Sequence, residues 1–169
     1  IASPVTHASE TTTFSASTNA DEQELPARAL QLEKEANAMG IPLYLFENGV
    51  PETFKTEKGA TVETDDHHSK DGKHALKWNY TKGSKLLVKE KIGYTPFVSN
   101  NQDQSIRTFV VWVYNEKPVN DTVTFQFGRG NHVDSWFDMN LNFTGWRTAW
   151  VSYERDMEGT PHPHMNRMT

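Results

Sequence analysis

The chain has 169 residues, enough for one domain with a real core, since a domain of about 150 residues buries roughly 68–70% of its unfolded surface. Its 17 basic and 22 acidic side chains leave a formal charge of −5, which argues against nucleic acid or an anionic bilayer as the main partner. There is no cysteine, hence no disulfide framework, thiol nucleophile or Cys-based zinc centre, and no apolar run approaches the about 20 residues of a membrane-spanning helix.

Residues 1–21 are rich in Ser, Thr and Ala, with too few apolar side chains to repay the entropy of ordering, and are expected to form a flexible leader. The chain opens at Ile1 without a basic n-region or an apolar h-region, as a soluble, already processed or excised chain would. Over residues 22–40, Leu25, Ala29, Leu32, Ala36 and Met39 recur at alternating steps of four and three, with Gly40 placed to terminate. This predicts a short amphipathic helix packing on the β-sandwich that the following residues form, with a frayed linker helix as the alternative.

After Pro42 the apolar period changes to two. LYLFENG (43–49) predicts a strand closing at Asn48-Gly49. HALKWNY (74–80) predicts another, with Leu76, Trp78 and Tyr80 on one face and Lys77 and Asn79 on the other. SKLLVKEK (84–91) repeats the pattern, and a Thr81–Ser84 turn joining the two strands would set Lys77, Lys85, Lys89 and Lys91 on one solvated face. From Lys70 to Lys91 there are seven lysines against Asp71 and Glu90, so a basic face is expected on an acidic protein.

RTFVVWVYN (107–115) is apolar on both parities, whereas TVTFQFG (122–128) alternates, with Val123, Phe125 and Phe127 inward. SWFDMNLNF (135–143) puts Phe137, Met139, Leu141 and Phe143 inward and Trp136, Asp138, Asn140 and Asn142 outward. WRTAWVSYE (146–154) supplies a further strand. At least seven short strands, with one helix ahead of them, predict an all-β chain: an antiparallel jelly-roll-like β-sandwich over residues 41–169. Leu76, Trp78, Phe125, Phe127, Phe137, Met139, Leu141 and Phe143 should form much of its core.

The segments FVVWVYNEKPVNDTVTFQFG (109–128) and LNFTGWRTAWVSYERDME (141–158) resemble the N-terminal domain of chondroitin sulfate ABC lyases. Trp112 to Pro118 and Phe143 to Arg147 carry the resemblance most specifically. LYLFENGVPETF (43–54) and DGKHALKWNY (71–80) fit in the same order, so that it covers roughly residues 41–169. It implies a carbohydrate-binding-module-like, non-catalytic domain of a secreted or periplasmic bacterial enzyme that cleaves glycosaminoglycans by β-elimination. The family's catalytic His, Tyr, Arg and Glu lie in a helical toroid domain of the same protein, and none maps onto this chain. It also implies further strands, one with an Asp, after the segment that MNRMT (165–169) resembles. Either the chain is cut inside the domain or another polypeptide supplies the rest.

Glu47, beside the Asn48-Gly49 turn, and the Ser69–Gly72 corner resemble the pairing that holds a structural calcium or sodium ion in carbohydrate-binding jelly rolls, with Glu47, Ser69 and Gly72 as candidate ligands. Glu47 as an ordinary surface carboxylate or turn cap is the competing assignment. His67-His68 and the His162/His164 pair have neither helical nor finger spacing, which makes solvated loop histidines of them rather than zinc ligands. Trp136 and Asn140 on an outward face, with Lys77 and Lys89 nearby, are the candidate contacts to an acidic polysaccharide, because aromatic faces stack on sugar rings and amides bind hydroxyls. The outward aromatics, Trp112 and Tyr114 included, equally suit packing against the toroid or the helix. An autonomous carbohydrate-binding module is the alternative to an accessory domain.

Overall fold

A computed structural model describes residues 19–40, 42–96 and 107–169. The expected leader, up to residue 18, lies outside the described residues. Helix α1 spans Asn19–Ala38 and ends as the sequence requires: Gly40 sits at φ +75, and its N–H donates to the Asn37 carbonyl at 3.0 Å. Its packing departs from the expected apolar stripe. Ala29 is 2% exposed, whereas Leu32 and Met39 face water at 44% and 71%. The helix rests on a polar loop corner rather than on an apolar sheet face, and there a methyl fits where a longer side chain does not.

Ten strands follow among the described residues: β1 (Phe54–Glu57), β2 (Thr61–Asp65), β3 (Ala75–Asn79), β4 (Lys85–Val88), β5 (Thr108–Asn115), β6 (Thr122–Arg129), β7 (His132–Asn140), β8 (Gly145–Ser152), β9 (Glu158–Gly159) and β10 (Arg167–Met168). They make a six-stranded sheet in the order β1-β4-β10-β6-β7-β9 and two ladders, β2-β3 and β5-β8, all paired antiparallel. The expected strand at LYLFENG does not form. Phe46 adopts φ 60, which breaks the extended run, and Tyr44, Phe46 and Phe54 cluster with ring centroids 5.0–6.2 Å apart.

The expected hairpin through Thr81–Ser84 is also overturned. β1 pairs with β4 and β2 with β3, so residues 54–65 and 75–88 form one long ribbon whose tip is the 66–74 loop. Thr81–Ser84 is a turn, closed by the Ser84 N–H on the Thr81 carbonyl at 2.9 Å, but it lies at a bend in the ribbon. Lys58 and Gly59, both at positive φ, bend the opposite strand. Alternation in sequence assigns faces and leaves partners open.

The core lies between β6-β7 and β5-β8. Phe109 from β5 meets Phe125, Phe127 and Phe137 with centroids 5.7, 4.9 and 5.9 Å away. Phe127 and Met165 are fully buried, and Phe137, Met139, Leu141, Phe143, Val151, Tyr153 and Met157 surround them. Two facing antiparallel layers with alternating inward side chains are the expected sandwich. Of the predicted core, Leu76, Trp78 and Phe125 are only half-buried; the first two belong to the β2-β3 arm, outside the two facing layers.

Candidate functional site

The tip of the ribbon is the most structured polar corner among the described residues. Gly72, at φ +69, turns the chain so that the N–H groups of Lys73 and His74 both donate to Glu47 Oε1 at 2.8 Å. The Glu47 side chain is 1% exposed, and the His74 Nδ1 lies 3.2 Å from Oε2. The Ser69 hydroxyl donates to the Gly72 carbonyl at 2.9 Å. Ala29 of α1 closes the top: a Cβ on Gly72 would stand 3.1 Å from the Ala29 Cβ and 2.3 Å from Glu47 Oε1. Glu33 of the same helix accepts the Leu45 N–H, and burial raises its pKa above the ordinary carboxylate value.

The three candidate ligands Glu47, Ser69 and Gly72 are therefore neighbours. As a cation site the corner is partly suited. A buried carboxylate, a hydroxyl and a carbonyl are hard oxygen donors, but calcium takes six to eight oxygens. Here Oε1 already carries two N–H donors, and the Gly72 carbonyl carries the Ser69 hydroxyl. The arrangement acts as a latch between α1, the 44–47 segment and the ribbon tip.

The candidate sugar contacts are not brought together in the same way. Lys77 stands on β3, 3.6 Å from Glu63, while Lys89 follows β4 in another sheet and donates its backbone N–H to the Thr53 carbonyl at 3.0 Å. Trp136 and Asn140 do share the outward face of β7. Trp136 is half-buried, however, and a Cβ on Gly159 of β9 would stand 2.8 Å from its ring. Asn140 is exposed and accepts the Asn142 N–H at 2.8 Å.

The described histidines serve local structure. His67 is exposed and bonded to Asp65 at 2.7 Å, which raises the imidazole pKa and lowers that of the carboxyl. With Asp66 these two form the only trio of His, Asp or Glu among the described residues close enough to share an ion. His162 Nδ1 accepts the His164 N–H at 3.0 Å. At the β6-β7 turn, Arg129 grips the nearly buried Asp134 through two bonds of 2.8 and 3.0 Å, holding its carboxyl below the usual range, with His132 3.3 Å away.

Sequence reasoning named Trp112 and Tyr114 among the outward aromatics but passed over Trp150 on the same surface. Phe109, Val111 and Val113 of β5 and Ala149 and Val151 of β8 pack into the core, so the even residues of these strands point outward. Val110 faces Trp150, Trp112 faces Thr148, and Tyr114 faces Trp146. Trp150 is 69% exposed and Val110 43%. At the other end the ribbon tip covers the face, with His68 stacked on Tyr114 at 3.9 Å and the Lys70 ammonium 4.4 Å above the Trp112 ring. The alternation in WRTAWVSYE carried this signal, because Trp150 shares a parity with Trp146 and Thr148 and opposes Val151.

Residues 43–169 match the protein family described as "Lyase, N terminal". A chondroitin sulfate ABC exolyase of Bacteroides thetaiotaomicron is 38% identical over 101 residues, 60% of this chain and 10% of that protein. A chondroitin sulfate ABC exolyase of Proteus vulgaris is 32% identical over 126 residues, 75% of the chain and 12% of the relative. A chondroitin sulfate ABC endolyase of the same organism is 28% identical over 134 residues, 72% and 13% respectively. The chain thus spans about a tenth of the length of these relatives. With three quarters of its residues inside one family match, and a sandwich built from those same residues, the chain belongs to the family of lyase N-terminal domains.

Proposed function

We propose that this chain is the non-catalytic, glycan-orienting N-terminal domain of a polysaccharide lyase acting on chondroitin and dermatan sulfate chains by β-elimination. The family match over residues 43–169 carries this proposal, together with relatives that are chondroitin sulfate ABC lyases. Its partners are the glycosaminoglycan and the catalytic toroid domain of the same protein. Substrates of this size do not cross a bilayer, so the parent acts in the periplasm or outside the cell.

β-Elimination needs a base at the proton α to the uronate carboxyl and a group that stabilises the enolate, both held in one groove. The described histidines are instead spread over the ribbon tip, the Glu47 latch, the β6-β7 turn and the 162–164 turn. The expected result is no rise in absorbance of the unsaturated uronate product when the purified chain is incubated with chondroitin sulfate, and a rise with the parent polypeptide. Turnover by the chain alone, abolished by a point mutation within it, would overturn the proposal. An autonomous carbohydrate-binding module is the second reading, supported by the exposed aromatic face of β5-β8. Titrating the chain with chondroitin sulfate oligosaccharides separates the two, because only the module binds unaided.

A structural calcium or sodium ion at Glu47, Ser69 and Gly72 is part of the same proposal, supported by the buried carboxylate beside two further oxygen donors. Such an ion would brace the ribbon tip against α1. A chelator should then lower the melting temperature, and Glu47→Ala should abolish that dependence; an unchanged melting curve would remove the ion.

A further inference from the structure

We infer that the polysaccharide meets this domain on the outward face of β5 and β8, with the Trp150 ring as the platform on which one pyranose unit stacks. This rests on the glycan-orienting function proposed above and moves the contact away from Trp136.

Four observations lead there. Trp150 is the most exposed aromatic side chain among the described residues, and its cross-strand neighbour Val110 is exposed as well, so an apolar step stands in water on a rigid, eight-residue ladder. Large apolar side chains kept in water on a rigid element mark contact sites. Trp136, by contrast, lies against Gly159 and offers no open ring face of that kind. The outward row Val110, Trp112, Tyr114, Trp146, Thr148 and Trp150 contains no carboxylate, although the protein carries a net charge of −5. The row itself presents no like charge to a polyanion; at its inner end the Lys70 ammonium lies over Trp112, beside the ribbon tip where Asp65 and Asp66 hold His67. Finally, the outward Trp112, Tyr114 and Trp146 are partly covered by the ribbon tip or by each other, which leaves the Val110–Trp150 end as the open step.

Chemistry fits a sugar at this step better than a protein. A flat indole presents its negative π face to the C–H groups of a pyranose ring, while ring hydroxyls, sulfates and carboxylates stay hydrated at the rim. One exposed indole and one valine make too small a patch for a stable protein interface, which needs on the order of 800 Å² per partner.

The experiment uses the full-length lyase that carries this chain. Initial rates are measured on polymeric chondroitin sulfate and on its tetrasaccharide for the wild type and for Trp150→Ala, Val110→Ser and Trp136→Ala. Trp150→Ala should raise KM for the polymer about tenfold, the loss of one aromatic contact, with kcat and the tetrasaccharide kinetics unchanged. Val110→Ser should act in the same direction more weakly, and Trp136→Ala should leave KM for the polymer within about twofold. Polymer KM unaffected by Trp150→Ala in an active enzyme overturns this inference and leaves the proposed function standing. An enzyme without lyase activity overturns both. A fall in kcat on both substrates with a lowered melting temperature would mean that Trp150 docks another domain, and that too overturns the sugar platform.

Discussion

Gly72 and Glu47 are coupled tightly enough to test the latch by a double-mutant cycle. Gly72→Ala places a methyl at φ +69, a conformation that costs an L-residue about 1–2 kcal/mol, and drives it into Glu47 Oε1, 2.3 Å away. The carboxylate must then leave the N–H groups of Lys73 and His74. Lys73 N is exposed and can turn to water, but His74 N is part-buried, so losing the pair costs about 2 kcal/mol. Gly72→Ala alone should therefore destabilise by about 3–4 kcal/mol, and Glu47→Ala alone by about 2–3 kcal/mol. With the carboxylate already gone, the added methyl meets only the Ala29 Cβ at 3.1 Å, and the second substitution should cost about 1–2 kcal/mol. Urea denaturation of the four proteins reads the cycle, and the expected coupling is about 2 kcal/mol. Glu47→Gln retains an amide oxygen for both N–H groups and should lose about 1 kcal/mol. Additivity within about 0.5 kcal/mol would refute the latch, as would Glu47→Gln falling as far as Glu47→Ala.

Three further outcomes follow from the same fold. Asp134 is held below the ordinary carboxyl range chiefly by its hydrogen bonds from Arg129. A depressed folded pKa contributes stability present above the unfolded value of about 3.9 and lost as pH falls through the folded one. Wild type and Asp134→Asn should thus differ in urea midpoint at pH 7 and converge as pH falls through the depressed folded value; a constant gap would contradict the pairing. Phe127→Ala, at the fully buried centre, should cost about 3–5 kcal/mol, with Phe127→Leu retaining most of the stability, as read by melting temperature. Gly159→Ala, at φ +78 with its methyl 2.3 Å from the Asp134 carbonyl, should detach β9, and the change in Trp136 fluorescence would report it.

Much of the sandwich was legible because β6 and β7 alternate up to the bulge at Phe127-Gly128: Val123 faces Met139 and Phe125 faces Phe137, with Phe127, Leu141 and Phe143 in the same core, as the period predicts. Pairing was not, since period two cannot tell a hairpin at Thr81–Ser84 from a bend in a ribbon whose tip lies further back. The helix was legible in extent through Gly40 and misread in its packing, because Leu32 and Met39 mark an apolar stripe whatever surface α1 meets. Glu47, Ser69 and Gly72 could be named together from the resemblance, but the role of Ala29 in closing the corner depends on tertiary placement. Trp150 escaped because WRTAWVSYE was read only as a further strand, with no faces assigned, although Trp112 and Tyr114 on the partner strand were placed among the outward aromatics.

The six-stranded sheet has a seam. Its β1-β4 pair and its β6-β7-β9 block are joined as hydrogen-bonded strands through β10, which contributes Met168 opposite Val88 and Arg167 and Met168 opposite Gly128 and Phe127. Those partners lie 80 and about 40 residues away in sequence, whereas Asp65 and Ala75 close the ribbon over only ten. Loop-closure entropy then orders assembly: the ribbon zips from its tip, β6 and β7 join across their tight turn, and β10 stitches the two halves last. In native-state amide exchange the Gln126–Thr169 pair, bonded both ways at 2.8 Å, should open more readily than the β6-β7 ladder beside it.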